Sequence, residues 1–302
     1  MAPITLLLIT LASILHAGWN ALSKSRQPST AFFLVSTLAG GILLSPALLL
    51  QRAALPAIPL RVWGLLLGTG FCMALYYGAL AGAYRHGHLS VAYPLARSSP
   101  ILIVAVVSMA LGRGAQISRF CMVGAVLVVA GCFLLPMKRL DGFHVRDYWN
   151  ASCGLALLAA VGTTGYTILD DEALRLLRNM TEIRLGPREK TLLYAALETC
   201  STALWLAVGL LLNRTERAGF RREIRKSWAA GMAAGAAIWT SYLLILFSLA
   251  FVSNVSYVAA FRQLSIPLGV LFGVWVLKEP ACVPKIAGVI LIVTGLVLVA
   301  VG

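Results

Sequence analysis

Two arginines lie inside stretches that are otherwise apolar enough to cross a bilayer. Arg97 sits in SVAYPLARSSPILIVAVVSMALG (90–112), between Pro94 and Pro100, and Arg262 sits in YVAAFRQLSIP (257–267) beside Gln263. An arginine at the centre of a membrane helix costs about 2.5–3.5 kcal/mol on insertion scales, so its presence needs a use. At about 1.5 Å per residue, Arg97 is roughly 10 Å deep. Tyr93, four residues earlier, shares its helix face. Each proline removes a backbone donor and can kink the helix and free a carbonyl, which is tolerated at depth where the backbone lines protein or water. These features point to a cation lining a wet cavity. Snorkelling to the interface is the competing use. Arg262 repeats the pattern, with Tyr257 before it and Pro267 after it. Two planar guanidinium forks could clamp carboxylates from opposite sides, or each could pair with an acidic side chain of the protein.

Other polar residues fall inside apolar stretches. LHAGWNAL in the first stretch puts His16, Trp19 and Asn20 on one face, and Gly18 permits close helix approach. His16 could carry a proton, since its unperturbed pKa is about 6.5, or simply pack and hydrogen-bond. Glu198 in YAALETCSTALW is the carboxylate well inside a stretch, with Tyr194 and Thr202 four residues either side. It suits a proton carrier, a neutral acid bonded between helices, or an arginine's partner. Asp170 and Asp171 close another stretch, where plain solvation is expected. Tyr76, Tyr77, Trp239 and Tyr242 could wall a cavity or pack ordinarily.

The elements that must position these residues follow from composition. Of the 302 residues, 60% are hydrophobic and 12% charged, with a mean hydropathy of +0.87, against about 45–50% and about 25% in soluble domains. A span needs roughly 20 apolar residues, and the sequence offers ten: about 4–22, 31–50, 62–83, 90–111, 119–136, 151–172, 191–212, 228–250, 255–277 and 285–301. The fold class expected is therefore all-α integral membrane. The net charge of +14 does not imply nucleic acid, because the basic residues sit in short loops, where they orient membrane helices. RTERAGFRREIRK (214–226) is the densest run and could touch anionic head groups. Odd-numbered loops carry fourteen Lys and Arg and even-numbered loops nine, which favours odd loops inside and both termini outside. The first stretch has the apolar core of a signal peptide but no basic residue before it. The six cysteines show no paired spacing and read as packing residues, neither disulfides nor a metal set.

The chain reads as doubled. A shift of 164 residues brings VAY (91–93) onto VSY (255–257) and GAVLVVAG (124–131) onto GVILIVTG (288–295), with Arg97 and Arg262 within one residue of alignment; a shift of 147 brings HAGWNALSK (16–24) onto TTGYTILDD (163–171). The units expected are 1–140 and 148–302. Five spans per unit, an odd number, invert the second relative to the first, as in many secondary transporters with a midplane site. The motifs HAGWNALSK, HLSVAYPLARSSPIL and YVAAFRQLSIPLGVLFGVWVLKEP, with the two G-x6-G spans, resemble the EamA-like branch of the drug/metabolite transporter superfamily. That resemblance implies ten helices around a central cavity, metabolite efflux, a bacterial inner-membrane location and cytoplasmic termini, the last against the charge count. The family commonly has an acid where the fourth span ends. Glu279 in LKEP keeps it in the second unit, while the first reads LGRG, with Arg113.

The absent motifs narrow the chemistry. No P-loop, H-E-x-x-H or G-x-S-x-G occurs, so neither ATP hydrolysis nor a hydrolase site is expected, and no cofactor. His86 and His88 lie in a short loop, a poor metal site. The reading is a secondary transporter, not an enzyme, that exports a small polar zwitterionic or carboxylate-bearing metabolite by alternating access. Amino acids or their derivatives fit, opine-type metallophores among them. Its partners are then that small molecule and the lipid bilayer; nothing in the sequence speaks to a homo-oligomer. Arg97, Arg262, Tyr93, Tyr257, Asn20, Trp19 and Gln263 are the candidate substrate contacts, and Glu198 and His16 the candidate proton carriers. A drug or organic-cation extruder is the alternative, disfavoured by two cavity cations, with a membrane enzyme or scaffold as the alternative of another class.

Overall fold

A computed structural model describes residues 3–26, 28–110, 118–138, 148–180, 183, 185–249 and 261–301. Among these the chain is helical, without strands. The helices are α1 (Pro3–Ser25), α2 (Thr30–Leu50), α3 (Leu60–His86), α4 (Leu89–Ala110), α5 (Arg119–Leu134), α6 (Ala151–Asn179), α7 (Pro187–Leu212), α8 (Arg214–Leu249), α9 (Ser265–Leu271) and α10 (Val283–Val301). A 3₁₀ turn covers Arg52–Ala57 and a π turn covers Phe272–Val276.

Among the described residues, six helices are long and apolar enough to cross a membrane: α1, α2, α3, α6, α7 and the stretch Ile224–Ile245 of α8. α4 adds 22 residues, and shorter apolar helices cover Met122–Leu134, Ser265–Val276 and Val283–Val299. Their outer faces carry large exposed apolar side chains, such as Leu7, Ile42, Leu50, Val126 and Ile290. In water such stripes would be costly; in a bilayer they are the expected lipid-facing surface. The chain is a multi-pass membrane protein.

Two compact units organise the chain. The first comprises Met1–Gln27, Ala79–Ala160 and Ala237–Gly302; the second comprises Pro28–Gly78 and Val161–Ala236. In the first unit, α5 packs on α10 and α4 on α9. Glycine sets the α5–α10 distance. A Cβ on Gly124 would lie 2.5 Å from the Gly295 carbonyl oxygen, and one on Gly131 would lie 2.5 Å from that of Gly288. The pairing 124 with 295 and 131 with 288 makes the two helices antiparallel. Small residues at both ends let the backbones touch, which drives helix association where water gives no hydrophobic push.

In the second unit, α3 runs antiparallel to α6: a Cβ on Gly162 would meet the Cys72 carbonyl at 2.8 Å, and one on Gly68 would meet Leu169 at 3.1 Å. Ser201 donates to the Leu66 carbonyl at 2.9 Å, tying α7 to α3. Val62, Leu66, Ala173, Leu177, Leu193 and Tyr194 form a buried core, and Phe33 stacks on Tyr77 at 4.8 Å. The helix starts are capped by side chains, which satisfy otherwise orphaned amides. Ser29 Oγ accepts from Phe32 N at 3.1 Å and Glu216 accepts from Thr30 N at 2.9 Å at the head of α2.

The prolines fall in two different settings. α4 runs unbroken through Pro94 and Pro100. The irregularity falls instead before α9, at Gln263 and Leu264, which form a turn. Pro267 has no N–H to offer the Gln263 carbonyl, and Ile266 N donates to it instead at 2.9 Å.

Candidate functional site

The first unit gathers the polar residues of α1, α4 and the segment from Phe261 into α9, elements that pack on one another. Tyr93 is buried, 3% exposed. Its ring lies against Gly269, where any Cβ would collide with it. The His16 ring lies 6.2 Å from that of Tyr93, centroid to centroid. His16 is within electrostatic reach of both Arg97 and Arg262, and so is Tyr93. The two cations expected from the sequence to act together thus belong to the same unit as His16 and Tyr93 and lie within electrostatic reach of them.

Seven buried side-chain polar atoms among the described residues lack a geometrically well-formed hydrogen bond, and five lie on α1, α4 or the stretch from Phe261 into α9: Ser13 Oγ, Tyr93 Oη, Arg97 Nε, Gln263 Oε1 and Ser265 Oγ. The Ser265 hydroxyl neighbours the Tyr93 phenol and interacts with it. Leaving a buried donor or acceptor unpaired costs about 1–3 kcal/mol each, and folded proteins seldom keep several such groups together without a use. Chemically, the cluster offers donors from a guanidinium, a phenol and two hydroxyls, and an acceptor from one amide.

The other expected contacts are distributed unevenly. Trp19 is buried, with its indole N–H 3.4 Å from His16 Nδ1 and its ring edge-on to the imidazole. Asn20 is spent inside the protein: Nδ2 donates to the His16 carbonyl at 2.7 Å and Oδ1 accepts from the Tyr84 hydroxyl at 2.5 Å. It holds α1 to the end of α3. Tyr257 lies outside the described residues. Glu198 belongs to the second unit, on α7, within electrostatic reach of Asp170.

Asp170 is not merely solvated as expected. Its Oδ1 accepts from Thr69 Oγ1 at 2.9 Å and from Tyr194 Oη at 2.7 Å, so α3 and α7 both close on it. The one-dimensional signal was its position one turn after Tyr166; the partners that matter lie on other helices. Ser13 and Ser265 were also missed, although each is three residues from a residue that was singled out, His16 and Arg262 respectively.

Glu279 has a definite role. Its carboxylate, 7% exposed as a residue, accepts from Leu89 N at 2.6 Å and Ser90 N at 2.9 Å, at the head of α4. A negative charge there meets both the free amides and the positive end of the helix dipole. Gly273 makes room for it, since a Cβ would sit 2.6 Å from Glu279 Oε2. Lys278, with φ of 58°, takes the left-handed turn that swings Glu279 back. Opposite charge serves the preceding helix: Lys24 Nζ donates to the Tyr84 carbonyl and, at 2.6 Å, to that of Gly87, at the tail of α3. Lys285 donates to Ser90 Oγ at 2.8 Å. These bonds fix the start of the helix that carries Tyr93 and Arg97. Arg113, the departure from the acid pattern, lies outside the described residues.

Three comparisons bear on this arrangement. The EamA-like transporter family matches residues 3–137. A solved structure described only as "Crystal structure of protein" is similar over 99% of this chain and 96% of its own, at 19% identity and a TM-score of 0.53, a likeness of fold. No curated protein matches the chain.

Proposed function

We propose that this chain, an EamA-like transporter family member by the match over residues 3–137, is a ten-span secondary transporter. In this reading it exports a small polar metabolite bearing a carboxylate, such as an amino acid or a derivative, across a bacterial inner membrane by alternating access. The observation that carries the reading is the packing of α1, α4 and α9 on one another, which puts the His16 ring 6.2 Å from that of Tyr93 with Arg97 and Arg262 within electrostatic reach of both. Guanidinium donors and hydroxyls suit a carboxylate, and an intramembrane cation is normally functional. Trp19 orients His16, and Tyr257 is the second unit's counterpart of Tyr93 in the sequence.

The architecture in this reading is two inverted five-helix repeats, 1–140 and 148–302. Its support is the antiparallel pairing of α5 with α10 through glycines that also align in the two sequence copies. Matching helices of inverted copies run in opposite senses. Termini are cytoplasmic by family likeness. Glu198 or His16 carries the coupling proton, and the export is then an antiport.

The test is transport by the purified chain in vesicles. An imposed pH gradient should accelerate uptake of a carboxylate metabolite into inverted vesicles, and Arg97→Ala should abolish it. Equal rates with and without any ion gradient would remove the proton. Undiminished transport by a well-folded Arg97→Ala would remove the site.

A further inference from the structure

The densest run of charge in the sequence, 214–226, opens α8. α8 has 36 residues, about 54 Å at about 1.5 Å per residue, whereas the hydrocarbon core of a bilayer is about 30 Å thick. Its membrane-length stretch is Ile224–Ile245, which leaves 214–223 to the head-group side. Asn213 joins α7 to this end, and Leu211 and Leu212 just before it are exposed apolar side chains. A lipid-facing helix tail therefore runs straight into the basic segment.

Helical spacing sorts that segment into two faces. Arg214, Arg217, Arg221, Arg225 and Trp228 follow one another at intervals of three, four, four and three residues, and all five are exposed. The arginines make a row about 17 Å long. Glu216 and Ser227 lie on another face, which is used inside the protein. Glu216 accepts from Thr30 N at 2.9 Å, Ser227 is buried, and a Cβ on Gly231 would meet Val35 of α2 at 2.9 Å. Arg217 donates to the Leu211 carbonyl at 3.2 Å, across the turn from α7. Arg214, Arg221 and Arg225 pair with no acid among the described residues.

A soluble anion would need only the cations. Here Leu211 and Leu212 precede the row and Trp228 closes it, all three exposed, a pattern that matches a molecule carrying both a phosphate and acyl chains. Guanidinium forks suit phosphate oxygens, indole rings favour the head-group level, and basic side chains beside a membrane attract anionic lipid. We infer that the exposed face of 214–228 is a binding surface for anionic phospholipid, with phosphates on Arg214, Arg221 and Arg225 and acyl chains along Leu211, Leu212 and Trp228. The surface belongs to the second unit and shares no residue with the proposed substrate contacts, so it stands or falls apart from them.

The test uses the full-length chain in a neutral detergent, with bound lipid counted by native mass spectrometry across titrations of phosphatidylglycerol and of phosphatidylcholine. Phosphatidylglycerol should bind about tenfold or more tightly. Arg214→Gln, Arg221→Gln and Arg225→Gln should each weaken it about fivefold, and the three combined should remove the preference. Arg214→Lys, Arg221→Lys and Arg225→Lys combined should keep most of it, with monodisperse elution showing that the variants fold. Glycerol phosphate at the same concentration should not displace the lipid. Equal binding of the two lipids, a preference that survives the triple glutamine variant, or one lost equally in the triple lysine variant overturns the inference. Displacement by glycerol phosphate overturns it too, since the row would then serve a soluble anion.

Discussion

The two units satisfy their buried polar groups to different degrees. In the second, the Asp170 carboxylate is held by Thr69 and Tyr194 at 2.9 and 2.7 Å, and the Trp205 indole and Ser201 hydroxyl are bonded to backbone carbonyls of α3. In the first, Arg97 Nε, Gln263 Oε1 and the Ser13 hydroxyl are buried and unbonded, against Gln51 Oε1 in the second. A satisfied network rigidifies and specifies the packing around it. An unsatisfied one is tolerated where another molecule completes it. In the proposed reading, the contrast favours substrate contact in the first unit. It leaves the second unit's carboxylates to structure or to proton movement.

The comparison can be broken most sharply at Arg97. Removing one partner of a buried charge pair costs about 2–5 kcal/mol, roughly 30-fold and upward in affinity, so Arg97→Ala should lose substrate binding while retaining its melting temperature. Loss of folding with no specific loss of binding would make Arg97 as structural as Asp170. Gly124→Ala or Gly295→Ala should lower the stability of the purified protein by about 1–3 kcal/mol, because the new Cβ meets backbone and has no side chain to push aside; thermal unfolding in detergent reads this directly. Tyr194→Phe should cost about 1–2 kcal/mol by taking one of two donors from Asp170. Unchanged stability would show that bond to be dispensable. The smallest effect is expected for Glu279→Gln, which keeps an acceptor at the head of α4 but removes its charge, about 0.3–1 kcal/mol. Glu279→Ala should exceed it, since Leu89 and Ser90 amides then lose their cap.

How much of this was legible in one dimension varied with the distance between partners. Tyr93 and Arg97 lie four residues apart, and helical spacing alone put them on one face. The Gly124, Gly131, Gly288 and Gly295 landmarks were visible as a recurring pattern, although their cross-pairing needed the fold. Ser13 and Ser265 sat at helical spacing from His16 and Arg262 but went unnoticed, because serine is ordinary in apolar helices and only its surroundings in the fold single it out. Asp170 and Glu279 were the least legible. Their partners are up to 125 and 190 residues away on other helices, and no local pattern reports such contacts. Asn20 was legible as polar and intramembrane, yet its amide serves Tyr84 and the His16 backbone. Pro94 and Pro100 lie within a continuous α4, and Pro267 follows a turn at Gln263 and Leu264 just after Arg262.

The central claim is that Ser13, Tyr93, Arg97 and Ser265 face a place where a polar molecule sits. Its most direct test is the reactivity of cysteines introduced singly at Ser13 and Ser265, in a chain whose native cysteines are replaced, toward a hydrophilic thiol reagent. Both should be labelled, a carboxylate substrate should slow the labelling, and a cysteine at the exposed apolar position Ile42 should stay unreactive in the bilayer. Inert cysteines at Ser13 and Ser265, or labelling indifferent to every carboxylate, would contradict the account.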